Sequence, residues 1–182
     1  MRIRMQKVMT VMKLRDFSVS DLMTKHAVAV RSGEMLSVAA KLMWDNDCGI
    51  IPVLADEGDQ VVGVVTDRDI CMATWSRDSA PSQIRAGETM SRDLVYCMPD
   101  DSIQAAESTM RSRRVRRLPV LDASANLLGM LSITDITRAA GQKSTARPGF
   151  ELSPEQIVDT ITMITAAHQP LAQRQEARVQ EW

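Results

Sequence analysis

Two short segments place a hydroxyl and a carboxylate at a spacing that can hold a phosphorylated sugar. They are Gly63-Val64-Val65-Thr66-Asp67-Arg68-Asp69 and Gly129-Met130-Leu131-Ser132-Ile133-Thr134-Asp135. In each, a glycine and two apolar residues precede the hydroxyl of Thr66 or Ser132, and Asp69 or Asp135 stands three positions later. A hydroxyl at a helix start can donate to a phosphate beside unpaired backbone N–H groups, and a carboxylate one turn on can accept from a ribose diol. The glycine removes a side chain where a ligand approaches. The same spacing is also a capping box, in which hydroxyl and carboxylate satisfy the helix start with no ligand. One segment alone favours the cap; recurrence at equivalent places shifts the balance toward binding.

The elements that must position these residues recur too. The apolar skeleton from Met23 to Ile70 returns from Met90 to Ile136, aligning Val28 with Val95, Ala39 with Ala106, Met43 with Met110 and Pro52-Val53-Leu54 with Pro119-Val120-Leu121. After one residue drops from the second loop, Gly63 meets Gly129 and Asp69 meets Asp135. Two copies imply a pseudo-symmetric pair with a cleft between halves, not an open array. Each copy reads as a short strand (Val28-Ala29-Val30; Val95-Tyr96-Cys97), an amphipathic helix, a hairpin of two apolar runs and a closing helix. Proline inside the first run of each hairpin predicts an edge position or a strand start. Neither three-stranded sheet covers its own apolar face, so the two are expected to pack together in an α/β (α+β) fold.

The expected organisation is an N-terminal arm over 1–18, repeats over 19–79 and 86–140, a linker over 141–152, and a C-terminal helix and tail over 153–182. Ser153-Pro154-Glu155-Gln156 supplies an N-cap, a proline at the first helical position and a capping-box glutamine. A helix to about His168 follows, with Ile157, Val158, Ile161 and Ile164 expected on one face. The arm alternates Lys or Arg with Met, Val and Leu. It reads as a packing arm or a poorly ordered extension ahead of a membrane-surface helix.

Lys plus Arg number 22 against 23 Asp plus Glu, so no global field draws the chain to nucleic acid or anionic lipid. Cys48, Cys71 and Cys97 are odd in number and widely spaced, which fits neither a disulfide framework nor a zinc site. Cys48 and Cys71 are expected to be small buried residues, and Met43, Met72 and Met110 core filler. No apolar run is long enough to cross a bilayer and the first residues lack a signal-peptide stretch, so the expected compartment is the cytoplasm. No phosphate loop, nucleophile elbow or histidine-rich metal motif is present, so catalysis is not expected. His26 reads as a rim or packing residue.

The span from about Val19 to Ala140 resembles a tandem pair of cystathionine beta-synthase (CBS) domains. The motifs that carry this are Asp21-Leu22-Met23-Thr24, Ile51-Pro52-Val53 and Val65-Thr66-Asp67-Arg68-Asp69-Ile70, with partners Glu88-Thr89-Met90-Ser91, Leu118-Pro119-Val120 and Leu131-Ser132-Ile133-Thr134-Asp135-Ile136. The resemblance implies a regulatory module that holds AMP, ADP, ATP or a related adenosyl ligand, with Mg when the ligand is ATP, and that requires no cofactor. It implies that Asp69 and Asp135 hold ribose hydroxyls and Thr66 and Ser132 phosphates. Thr24 and Ala29, or Ser91 and Tyr96, would line the base side of the opposite cleft. Arg116 and Arg117 fall where the family often places phosphate contacts, whereas Gly49 and Ile50 do not serve, so at most one strong site is expected. The resemblance also implies a homodimer formed through helices, with output to an unidentified regulated protein. Two alternatives stand beside it: a ligand-free scaffold or dimerisation module, and a nucleic-acid binder using the Arg111–Arg117 cluster. The second is disfavoured by the lack of interleaved aromatics.

Overall fold

The structure, a computed structural model, describes residues 17–141 and 153–166. In chain order the elements are α1 (Val19–Leu22), β1 (Thr24–Lys25), β2 (Val30–Arg31), α2 (Leu36–Asp45), β3 (Ile50–Leu54), β4 (Val61–Thr66) and α3 (Asp67–Arg77). Two 3-10 turns, Pro81–Gln83 and Ala86–Glu88, lead to α4 (Ile103–Arg113), β5 (Arg117–Leu121), β6 (Leu127–Ser132), α5 (Ile133–Gly141) and finally α6 (Pro154–Thr165). The expected α/β fold with two small sheets forms: one sheet runs β2-β3-β4, the other β1-β6-β5. The N-terminal arm to residue 16, most of the linker and the tail beyond residue 166 lie outside the described residues.

Each hairpin is antiparallel with matching register, Ile50 opposite Thr66 and Arg117 opposite Ser132. Helices α2 and α4 bury the stripes Leu36, Ala39, Met43 and Ile103, Ala106, Met110, spaced three and four apart as one helical face requires. Each repeat has its own core, and the segments leading into the repeats are exchanged between them. Val19, ahead of the first repeat's sheet, packs in the second core, while Ile84 and Ala86, ahead of the second, pack in the first.

Strand β1 shows the same exchange. Thr24 and Lys25 precede the first repeat's sheet but pair antiparallel with Met130 and Gly129 of the second. Ser91 makes the reciprocal bridge to Val64, with Val64 N–H donating to the Ser91 carbonyl at 3.1 Å and the return bond at 2.8 Å. This corrects the reading of the two glycines. A Cβ at Gly63 would lie 2.6 Å from Ser91 O, and one at Gly129 would overlap Thr24 O. What approaches each glycine is the other repeat's backbone.

Two strand expectations shift. Val95-Tyr96-Cys97 contributes only a bridge, Cys97 to Val120, where the first repeat has strand β2. In the first repeat Ser32 N–H continues the ladder to Leu54 O at 2.9 Å; the aligned residue of the second is Pro99, which has no N–H to give. Pro52, expected at an edge or a strand start, instead lies within the central strand β3. It is tolerated because β2 pairs with β3 only from Val53 onward, leaving no partner that needs the missing donor.

Helix α6 forms with the expected capping box, Gln156 N–H to Ser153 Oγ at 3.3 Å and Ser153 N–H to Gln156 Oε1 at 2.8 Å. Its buried face is Ile157, Thr160 and Ile164, while Val158 and Ile161 point outward. It packs on α4 and α5, where the buried Thr160 hydroxyl donates to the buried Glu107 carboxylate.

Candidate ligand cleft between the repeats

A cleft of about 500 Å³ opens where the two repeats meet. From the second repeat come Arg117, Met130, Ser132, Thr134, Asp135 and Arg138; from the segment before the first sheet and from its hairpin come Thr24, His26, Val28, Ile50 and Pro52. The secondary structure sets these positions. The β5–β6 register puts Arg117 across from Ser132, the exchanged β1 puts Thr24 beside Met130, and the first turn of α5 carries Asp135. The loop Asn46–Cys48 forms another wall. It is turned there by a left-handed Asp47, φ 47°, that closes α2, with Cys48 N–H bonding back to Met43 O at 3.0 Å.

Both hydroxyl–carboxylate pairs are capping boxes. Asp135 Oδ2 accepts from Ser132 N–H at 2.9 Å and Ser132 Oγ at 2.5 Å, and Asp135 N–H donates to Ser132 Oγ at 3.2 Å. Thr66 and Asp69 repeat this at 2.9, 2.7 and 3.2 Å. Each cap engages one carboxylate oxygen. The other oxygen of Asp135 meets only a long, weak contact from the Arg138 guanidinium at 3.5 Å. Asp135 therefore holds the helix start through Oδ2 and leaves Oδ1 as an acceptor near the Arg138 guanidinium, in a cleft that Arg117 also lines.

Of the expected site residues, Thr24, Arg117, Ser132 and Asp135 line this cleft. Ala29 does not, although its neighbours Ala27 and Val28 do; Arg116 is exposed, its carbonyl accepting from Ile133 N–H at 2.9 Å. The second set, Thr66, Asp69, Ser91 and Tyr96, belongs to the pseudo-symmetric position. There Ser91 adjoins β4, which ends at Thr66, and the Tyr96 ring is half exposed rather than buried. Arg138 was not anticipated. A signal existed, because its aligned residue in the first repeat is Met72, just as Ile50 aligns with Arg117. The Arg111–Arg117 run presents no single stripe: Arg117 turns into the cleft and Arg113 pairs with Asp93 at 2.6 Å.

The expectation of buried sulfur side chains holds only in part. Met43 and Met110 are core, but Met72 is 48% exposed, Cys71 is exposed and Cys48 is half-buried. Met72 follows Ile70 by two and therefore leaves the buried Ile70–Ala73 stripe. Trp44 on α2 and Trp75 on α3 are also exposed. Burial pushes the Cys97 thiol up to about 12, with Asp101 adding to the effect, so this cysteine is an inert core residue. Among the described residues no group of three or more His, Cys, Asp or Glu can hold a metal, and no helix is long and apolar enough to cross a membrane.

Comparison with known proteins follows the same boundaries. The family described as CBS domain matches residues 19–75 and 86–141. The chain is 34% identical over 136 residues to the CBS domain-containing protein YhcV of Bacillus subtilis, covering 75% of this chain and 93% of that one. It is also 34% identical over 124 residues to a homoserine O-acetyltransferase of Methanococcoides burtonii, covering 68% of this chain but spanning only 24% of the acetyltransferase. The crystal structure of CBSX2 in complex with AMP superposes with a TM-score of 0.61 at 25% identity, over 69% of this chain and 97% of that one.

Proposed function

This chain belongs to the CBS domain family, and from that premise we propose that it is a regulatory module that binds an adenosyl ligand in the cleft holding Asp135. The observation that carries the proposal is that one small cleft gathers a carboxylate oxygen outside the helix cap, two guanidiniums and the apolar wall of the opposite repeat. Asp135 Oδ1 accepts from the ribose diol, Arg117 and Arg138 meet the phosphate, and the base lies against Val28, Ile50 and Pro52. Ser132 reaches a phosphate only by releasing its bond to Asp135. The bound AMP named for CBSX2 supports the ligand class. AMP, ADP, ATP (with Mg) and S-adenosylmethionine are the candidates, and two guanidiniums favour those that carry phosphate.

The role is regulation, not catalysis, in the cytoplasm, with output to a partner protein. A ligand shifts such a module only by its differential affinity for two arrangements. Here the cleft wall Asn46–Cys48 connects to α2 and the wall Asp135–Arg138 is part of α5, so closure on the ligand moves helices of both repeats. The module pairs as a homodimer; a light-scattering mass of one chain at micromolar concentration would remove that part. Melting curves of the full chain with each candidate test the rest. A ligand at about a hundred times its Kd stabilises by roughly 2.7 kcal/mol, a readily measured rise in Tm. Unchanged melting with all four ligands would favour a ligand-free scaffold.

A further inference from the structure

Each repeat turns a pair of helices outward, and the two pairs carry different side chains. Ala40 and Trp44 of α2, and Cys71 and Trp75 of α3, stand one turn apart on the first pair; the aligned residues of α4 and α5 are Glu107, Arg111, Thr137 and Gly141. Helix α6 packs on the second pair, whereas Trp44 and Trp75 on the first are 87% and 76% exposed. We propose that the homodimer forms through α2 and α3 alone, because α6 of the same chain holds the place on α4 and α5 that a second copy would take. The inference rests on the homodimer reading and adds to it which repeat pairs and what closes the other.

Three observations carry it. The first is where the anchors lie. Large aromatic side chains dominate association when an interface desolvates them, and both exposed tryptophans of the described residues belong to the first repeat. Their counterparts on the second are a guanidinium, Arg111, and a glycine with no side chain, Gly141. The second observation is the fit of α6 to its seat. Ile157, Thr160 and Ile164 are buried there, and the Thr160 hydroxyl donates to Glu107, a carboxylate only 7% exposed. Ala40, the counterpart of Glu107, needs no donor. An α6 laid on the first repeat by another copy would bury the Thr160 hydroxyl without a partner, so α6 is matched to the second repeat and leaves the first to a different occupant. The third is the tether. Residues 142–152 join α5 to α6. A short tether holds a segment at an effective concentration of about 1 mM, roughly a thousandfold above a second copy present at micromolar concentration. Helix α6 therefore wins the second repeat's face before a second copy can reach it.

Hydrogen exchange of the full chain, below and above the concentration at which light scattering detects pairing, tests this. Pairing should slow exchange about tenfold in α2 and α3 and leave α4, α5 and α6 unchanged. Trp44→Arg with Trp75→Ala should leave a single chain at every concentration, with the circular dichroism of the parent. Ile157→Asp with Ile164→Asp, which lifts α6 from its seat, should keep the slowing in α2 and α3. A paired chain in which α4 and α5 slow as much as α2 and α3, or whose mass survives loss of both tryptophans, would overturn the inference and leave the homodimer standing. So would an α6 variant that falls to one chain, since α6 would then belong to the interface. A parent of one chain at every concentration would remove the homodimer reading, and this inference with it.

Discussion

The two repeats share a backbone and differ in what they attach to it. Register, capping box and glycine crossing coincide between Ile50–Asp69 and Arg117–Asp135, and a left-handed residue, Asp47 or Arg114, closes the helix ahead of each hairpin. Ile50 and Met72 in the first repeat become Arg117 and Arg138 in the second, so two positive charges border the cleft that holds Asp135. On the outer side Ala40 becomes Glu107, which binds α6, and Trp44 becomes Arg111. A duplicated fold has thus kept the atoms that hold it together and divided what surrounds them: two arginines line the cleft at the second repeat, and among the described residues an apolar helical face stays exposed on the first.

The shared part breaks hardest. Gly129→Ala drives a Cβ into the Thr24 carbonyl, and Gly63→Ala places one 2.6 Å from Ser91 O. Each is expected to destabilise by about 3 kcal/mol in urea unfolding, since backbone on both sides leaves no flexible atom to yield. Similar losses from the two would uphold the symmetry of the crossing, and a tolerated alanine at either would break it. The divided part is more specific. Arg117→Ile installs the first repeat's residue and should weaken AMP binding by roughly 2 kcal/mol, with a weaker salt dependence and little change in Tm without ligand. An unaltered affinity would remove the physical basis of the asymmetry.

The α6 seat sharpens the outer-face contrast at smaller amplitude. Thr160→Val leaves the buried Glu107 without its donor and should lower stability by about 1 kcal/mol, while Thr160→Val with Glu107→Ala should recover most of that. Burial holds Glu107 above the ordinary carboxylate range, with Arg111 opposing. The folded chain therefore keeps this proton where the unfolded chain has lost it, so the contribution is complete below the unfolded value and declines as pH rises through the raised one. Urea midpoints from about pH 4 to 7 should fall less steeply for Glu107→Gln than for the parent; parallel slopes would contradict the assignment.

Much of this was legible in the sequence because it rests on period and spacing. The stripes Leu36, Ala39, Met43 and Ile103, Ala106, Met110, both hairpins, both capping boxes and the α6 cap were all readable locally. What escaped was decided by distant backbone. Strand β1 is two exposed residues with no alternation to reveal it, and the purpose of Gly63 and Gly129 becomes visible only once another chain segment crosses them. The second repeat's lost strand was hidden in Pro99, whose missing N–H matters only after Ser32 shows what the bond should be. Thr160 was passed over because a threonine in an apolar stripe looks polar until Glu107, far away in sequence, comes to meet it. In the cleft, the acid and hydroxyl were read from their spacing and Arg117 from the family resemblance. Arg138 needed only the comparison with Met72.

Calorimetric titration of AMP into the parent chain, Asp69→Asn and Asp135→Asn tests the central claim most directly. Asparagine keeps an acceptor for the helix cap and removes the charge. The cleft geometry predicts one strong site per chain, unaltered by Asp69→Asn and lost with Asp135→Asn. Binding that survives Asp135→Asn, or that both substitutions weaken equally, would contradict it.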